Sequence, residues 1–146
     1  MKNRNLQHSD NWETPIDLYE QLDRIYDFDF DPCPIHLKEI TPDQDGLLIP
    51  WGKSNFVNPP YSRRLKEAFV KKAIEVAQED GVQCVMLLPV STSTKLFHDH
   101  ILPNAKDIIF LKGRVKFKGY NTKGEYVTNQ SGMHDSMVVV FEGKKR

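Results

Sequence analysis

The residues best suited to chemistry in this 146-residue chain are Asn58-Pro59-Pro60-Tyr61. Asn58 offers a side-chain carbonyl and Pro59 a backbone carbonyl, two acceptors on neighbouring residues. The successive prolines restrict the backbone, so both acceptors are fixed before a ligand arrives. Two fixed acceptors suit the two N–H groups of a ring-conjugated amino group. Such a nitrogen is a poor nucleophile, because its lone pair is delocalised into the ring. Binding both hydrogens localises the lone pair on nitrogen, which can then attack an electrophile in line. Acceptors already in place need no reorganisation at that moment, and Tyr61 adds a flat face for stacking. The plainer reading is a proline-rich turn, since Asn-Pro is a common turn dipeptide.

The elements that must position this loop can be read from periodicity. Residues 1–11 are polar and read as a flexible arm. A helix is expected from Thr14-Pro15, with Thr14 as N-cap and Pro15 at the first helical position. Ile16, Tyr19, Leu22 and Tyr26 recur at three- and four-residue spacing and predict its buried face. Residues 26–31 alternate aromatic and acidic, a short strand ended by Pro32-Cys33-Pro34. Residues 35–53 read as irregular, and 54–58 as a strand running into the prolines. A helix over 63–79 turns Leu65, Phe69, Ala73, Val76 and Ala77 inward and closes at Gly81. The apolar run 82–88 predicts a central strand covered on both faces. A short helix over 93–102 and strands over 108–111, 114–118 and 136–141 complete the chain. This order predicts one α/β domain, its sheet mainly parallel with an antiparallel C-terminal hairpin at the edge. Ligand sites in such sheets lie at the carboxyl ends of strands, where 31–33 and 58–61 are both placed.

Hydrophobic residues at 39% and charged residues at 27% describe a globular chain rather than a disordered one. No apolar run approaches the roughly 20 residues that cross a bilayer, and the polar start, Met1-Lys2-Asn3-Arg4-Asn5, argues against a secretory signal. Two cysteines, Cys33 and Cys84, make no disulfide framework and point to a reducing compartment, by default the cytoplasm. The net charge of zero conceals an asymmetry. Residues 1–62 carry five Lys/Arg against eleven Asp/Glu, and residues 63–146 carry fifteen against nine. Either the second half meets a polyanion or the halves neutralise each other.

Lys112, Arg114, Lys116 and Lys118 recur at every second position, with Leu111, Val115 and Phe117 among them. On a strand these four cations would share one face and form a track for phosphates. A lysine-guarded edge strand is the alternative. Arg63 and Arg64 follow the Asn58 loop directly and are placed to reach flanking phosphates, or are ordinary charges of a surface helix. No metal site is expected. Cys33-x-x-His36 lacks a second pair, and His98 and His100 point different ways on a helix. No P-loop, nucleophile elbow or dinucleotide fingerprint is present.

The ordered series Trp12-x-Thr14-Pro15, Phe30-Asp31-Pro32-Cys33, Asp45-Gly46-Leu47, Trp51 and Phe56-Val57-Asn58-Pro59-Pro60-Tyr61-Ser62 is similar to the phage-type DNA N6-adenine methyltransferase (Dam-like) family. Leu87-Leu88-Pro89, Phe97-His98, Gly113-Arg114-Val115-Lys116-Phe117 and Ser136-Met137-Val138-Val139-Val140-Phe141 continue it in order. The resemblance implies a compact Rossmann-like fold and transfer of a methyl group from S-adenosyl-L-methionine to the N6 amino group of adenine in DNA. The adenine would be flipped from the duplex and held by Asn58, Pro59, Pro60 and Tyr61. It implies a cofactor site bordered by Trp12, Thr14, Pro15, Asp31, Pro32, Cys33, Asp45 and Leu47. Asp31 would meet the methionine ammonium or a ribose hydroxyl, Asp45 the cofactor's adenine amino group, and Trp12 or Leu47 its ring. Phe117, with Phe97 as a second candidate, would contact the flipped base, and residues 119–135 would read the DNA sequence. A bacterial cytoplasm and a phage or prophage source are also implied. The chain departs from better-known methyltransferases in one respect: Pro32, Cys33 and Pro34 stand where they carry a Gly-rich loop, and the next glycine is Gly46. Which acid does which job stays open, as do RNA adenine or a protein amide as acceptor and a non-catalytic DNA-binding remnant.

Overall fold

The computed structural model describes residues 4–5, 12–34, 39–120, 123–131 and 134–143. In chain order the elements are β1 (Arg4–Asn5), β2 (Trp12–Glu13), α1 (Ile16–Tyr26), β3 (Glu39–Ile40), β4 (Ser54–Val57), α2 (Arg63–Asp80) and β5 (Gln83–Pro89). A π-helical turn, Leu96–Ile101, then runs into α3 (Leu102–Asn104), followed by β6 (Asp107–Phe110), β7 (Lys116–Tyr120), β8 (Tyr126–Ser131) and β9 (Ser136–Glu142).

The apolar runs decide the centre of the fold. β5 and β9 are buried on both faces along nearly their whole length, so both must lie inside a sheet. The main sheet has the order β4-β5-β9-β6. β4 and β5 are parallel, whereas β9 runs antiparallel to both β5 and β6, so β4, β5 and β6 share one direction. Alternation along β5 and β9 then builds two cores. Cys84, Met86, Leu88, Met137, Val139 and Phe141 meet Phe69, Ala73 and Ala77 of α2 on one face. Val85, Leu87, Val138 and Val140 meet Leu22 of α1 and Phe117 of β7 on the other.

The predicted topology is corrected on two points. The sheet is mixed rather than mainly parallel, and the last strand does not form an edge hairpin with the basic strand. β9 is too apolar for an edge and inserts between β5 and β6. The hairpin is instead β7–β8, which joins β2 in a separate antiparallel sheet ordered β2-β7-β8. Residues 119–135, predicted as an irregular loop, instead hold the end of β7 and the whole of β8, with 121–122 and 132–133 outside the described residues.

Local expectations shift in the same way. Helix α1 runs through Tyr26 and stops at Asp27, whose left-handed backbone (φ 52°) lets its N–H reach the Asp23 carbonyl. The strand predicted over 26–31 is thus reduced to Phe30, bridged in parallel to Asn55. Its alternation survives in burial, with Tyr26, Phe28 and Phe30 half-buried and Asp27, Asp29 and Asp31 exposed. Ile16, expected on the buried face of α1, is 60% exposed, and Pro15 rather than Thr14 occupies the N-cap. Within the predicted arm, Arg4–Asn5 pairs with β3, and 1–3 and 6–11 lie outside the described residues. Helix α2 ends as expected at Gly81 (φ 69°). No described helix is long and apolar enough to cross a membrane.

Candidate active site

β4 delivers Asn58 to the carboxyl end of the sheet, on the side covered by α1 and the small sheet. The Asn58 side chain is buried at 8% exposure. Its Nδ2 donates to the Trp12 carbonyl at 2.5 Å and to the Thr14 hydroxyl at 3.1 Å. A carbonyl can only accept, so the amide must present its nitrogen there, and its orientation is fixed chemically. Oδ1 consequently faces the other way, buried and with no hydrogen-bond partner among the described residues. A buried acceptor left unpaired costs about 1–3 kcal/mol, which is the condition of a group kept open for a ligand's donor.

Pro59 and Pro60 are buried behind Asn58, and Tyr61 is half-buried. The Tyr61 ring meets Phe117 edge-on, with centroids 5.8 Å apart. Burial pushes the Tyr61 phenol well above its ordinary range, so the ring stays neutral. Phe117 itself is only 4% exposed and sits in the core. It braces Tyr61 from behind rather than offering a free face to a base.

Phe30 runs parallel to β4, so Asp31 leaves the sheet at the same end as Asn58. Asp31 Oδ1 accepts the Cys33 N–H at 2.8 Å, closing a tight turn. The Asp45 carboxylate is buried and accepts the Leu47 N–H at 2.9 Å. These two turns touch. A Cβ placed on Gly46 would fall 2.2 Å from the Pro32 carbonyl oxygen, so only glycine permits the approach. Trp51 Nε1 ties the contact down by donating to the Gly46 carbonyl at 2.7 Å. Trp12 and Leu47, both assigned to a cofactor ring, pack with opposite faces of the sheet. Pro15 lies at the start of α1, next to Thr14.

The basic residues are less regular than their spacing predicts. Gly113 adopts φ +73°, which turns the chain between β6 and β7 and breaks the alternation. Lys112 is exposed before that turn, and Arg114 lies 3.7 Å from Asp135 in an exposed pair. Lys116 and Lys118 alone lie on β7, and Lys118 stands opposite Glu13 of β2. A continuous four-cation face is therefore absent among the described residues. Arg63 and Arg64 are exposed at the start of α2, with Arg63 paired to Glu67 at 3.2 Å. No cluster of metal-ligating side chains occurs among the described residues, and His36 lies outside them.

The family model for DNA N-6-adenine-methyltransferase (Dam) matches residues 2–146. The chain belongs to the Dam family. Neither a curated protein nor a solved structure matches it. Membership implies DNA adenine methyltransferase activity and a DNA substrate.

Two features of this Dam-family site were not legible as motifs. Asn55, fully buried on β4, accepts the Gly52 N–H and donates to the Gly52 and Gln83 carbonyls. Asp29 accepts the Ser54 and Lys53 N–H groups, and a Cβ on Gly52 would clash with its carboxylate. Together they lock the opening of β4, and so the height at which Asn58 emerges. The only signal was polarity at Asn55 in a strand buried on both faces. The second feature is a cavity of about 320 Å³ beside α2, lined in part by Lys66 and Lys95.

Proposed function

We propose that this chain transfers a methyl group from S-adenosyl-L-methionine to the N6 nitrogen of an adenine extruded from DNA, through a compact Rossmann-like scaffold. The observation that carries this reading is the buried, unpartnered Oδ1 of Asn58, held open while its amide hydrogens are engaged by Trp12 and Thr14. Oδ1 accepts one hydrogen of the target amino group and the Pro59 carbonyl accepts the other. With both hydrogens held, the nitrogen lone pair is directed away from the ring. The neutral Tyr61 ring, braced by Phe117, stacks on the extruded base.

The cofactor residues suit their ligand chemically. S-adenosyl-L-methionine supplies an electrophilic methyl group on a sulfonium. Asp31, exposed at the end of the Phe30 bridge, accepts from its ammonium or ribose hydroxyls, and the buried Asp45 beside Gly46 accepts from its adenine amino group. Trp12 or Leu47 supplies apolar contact to its ring, and Pro15, Pro32 and Cys33 border the site. The Pro32–Gly46 contact supports a small cofactor pocket, because it brings the two acidic turns together without a Gly-rich loop. Lys112, Arg114, Lys116, Lys118, Arg63 and Arg64 contribute positive potential for the phosphates, and the β7–β8 hairpin reads flanking bases. The setting is a bacterial cytoplasm and the source a phage or prophage.

Incubation with labelled S-adenosyl-L-methionine and separate DNA, RNA and protein acceptors tests the assignment. Isotope should appear on DNA adenine. Asn58→Ala should reduce transfer at least about a hundredfold, as expected on losing one preorganised acceptor, with cofactor affinity unchanged by calorimetry. Wild-type rates in that variant would remove Asn58 from the mechanism.

A further inference from the structure

The cavity beside α2 is separate from the Asn58 acceptor and from both acidic turns. Arg63, Lys66 and Glu67 of α2 form one wall, and Ser91, Thr94 and Lys95 the opposite one. Leu88, Phe97 and Met137 make an apolar floor. The second wall is rigidly built. Thr94 Oγ1 donates to the Ser91 carbonyl at 2.9 Å and accepts the Phe97 N–H at 3.2 Å. His98 reaches back to the Thr92 carbonyl at 2.6 Å. The helix that follows opens with a π-type turn, Leu96–Ile101, which supplies Leu96, Phe97 and Ile101 to the lining. Such widened turns cluster at functional sites.

The charges select the occupant. Glu67 is neutralised by Arg63, which leaves Lys66 and Lys95 as cations with no ion-pair partner among the described residues. A cationic sulfonium cofactor is disfavoured there, and no other carboxylate lines the cavity to receive its ammonium. An anion with an apolar body fits both parts of the lining. At about 320 Å³ the volume matches one nucleotide and falls at the small end of ligand pockets. Because β4 and β5 are parallel, Leu88 and Pro89 leave the sheet at the same end as Asn58, and α2 begins two residues after Tyr61, so the cavity opens at the end of the sheet that carries the Asn58 loop.

We propose that this cavity is a second DNA subsite, holding the nucleotide next to the extruded adenine. Its phosphate lies between Lys66 and Lys95 and its base rests on the Leu88–Phe97–Met137 floor. The inference rests on the methyltransferase reading above and adds Lys66, Lys95 and Phe97 to the residues that decide how DNA is held.

Fluorescence anisotropy with a labelled duplex, read over a range of salt, tests it on the full chain. Lys66→Ala and Lys95→Ala should each weaken DNA binding roughly tenfold and lower the salt slope by about one. Calorimetric affinity for S-adenosyl-L-methionine should not change. Lys71→Ala, an exposed change on α2 outside the cavity, should match wild type. Unaltered DNA affinity in both cavity variants, an equal loss in Lys71→Ala, or a loss of cofactor affinity instead would each overturn the subsite. If wild type methylates DNA while the cavity variants bind it normally, the subsite falls and the methylation reading stands. If DNA binding depends on the lysines but wild type transfers no isotope to DNA, the methylation reading falls and the subsite stands.

Discussion

At the residue scale, the proposed chemistry turns on the orientation of one amide. Trp12 and Thr14 come from the segment preceding α1, yet they determine which way Asn58 faces. Under the proposed mechanism Thr14 is thereby a positioning residue, acting through Asn58 rather than on substrate. Thr14→Val removes the weaker of the two acceptors and leaves the Trp12 carbonyl to hold the amide alone. The expected result is a fall of about tenfold in kcat, the equivalent of one ordinary hydrogen bond of about 1.4 kcal/mol. The KM for DNA should change little, and Thr14→Ser should restore the rate. A loss confined to KM would return Thr14 to a binding role.

At the scale of elements, the two short turns that carry Asp31 and Asp45 are the ones that the proposed function assigns to the cofactor. The 31–33 turn and the 45–47 turn meet through Pro32 and Gly46, with Trp51 clamped on the junction and stacked against Phe69 of α2. Gly46→Ala would force them apart, since no Cβ survives at 2.2 Å from a carbonyl oxygen. Overpacking of this kind costs about 1–3 kcal/mol. Thermal unfolding should show the loss of stability, and calorimetry a weakening of S-adenosyl-L-methionine binding. Retained cofactor affinity at reduced stability would separate this junction from the cofactor pocket.

The whole molecule depends on a single sheet covered on both faces, and its pH dependence should reveal that burial. Cys84 lies near the start of β5 with no exposed surface, and burial pushes its thiol from 9.0 up to about 12. The folded chain thus keeps the thiol neutral over a range in which the unfolded chain ionises it. This contribution to stability is complete below pH 9.0 and is lost as pH rises towards about 12. The buried Tyr61 phenol acts in the same direction above 10.0. The unfolding free energy from denaturant titrations should fall across that interval by up to roughly 1.4 kcal/mol per pH unit for each group. Cys84→Ala should flatten the part of the decline that begins near 9.0; an unchanged profile would assign it to other groups.

Local signals in the sequence determined α1 and α2, the apolar strands, the Gly81 stop and the position of the Asn58 loop at a strand end. Each depends on periodicity or on the stereochemistry of proline and glycine, which act over a few residues. Pairing did not follow from those signals. The position of β9 between β5 and β6, the β7–β8 hairpin and the reduction of 26–31 to one bridge depend on which partners can cover an apolar face. The cationic spacing was broken by a local feature instead, because Gly113 turns the chain before β7 begins. Asn58-Pro59-Pro60-Tyr61 announced two acceptors. Only the tertiary structure decided that one of them, Oδ1, is buried, oriented and left open, since its orientation is set by a carbonyl and a hydroxyl more than forty residues away in the chain.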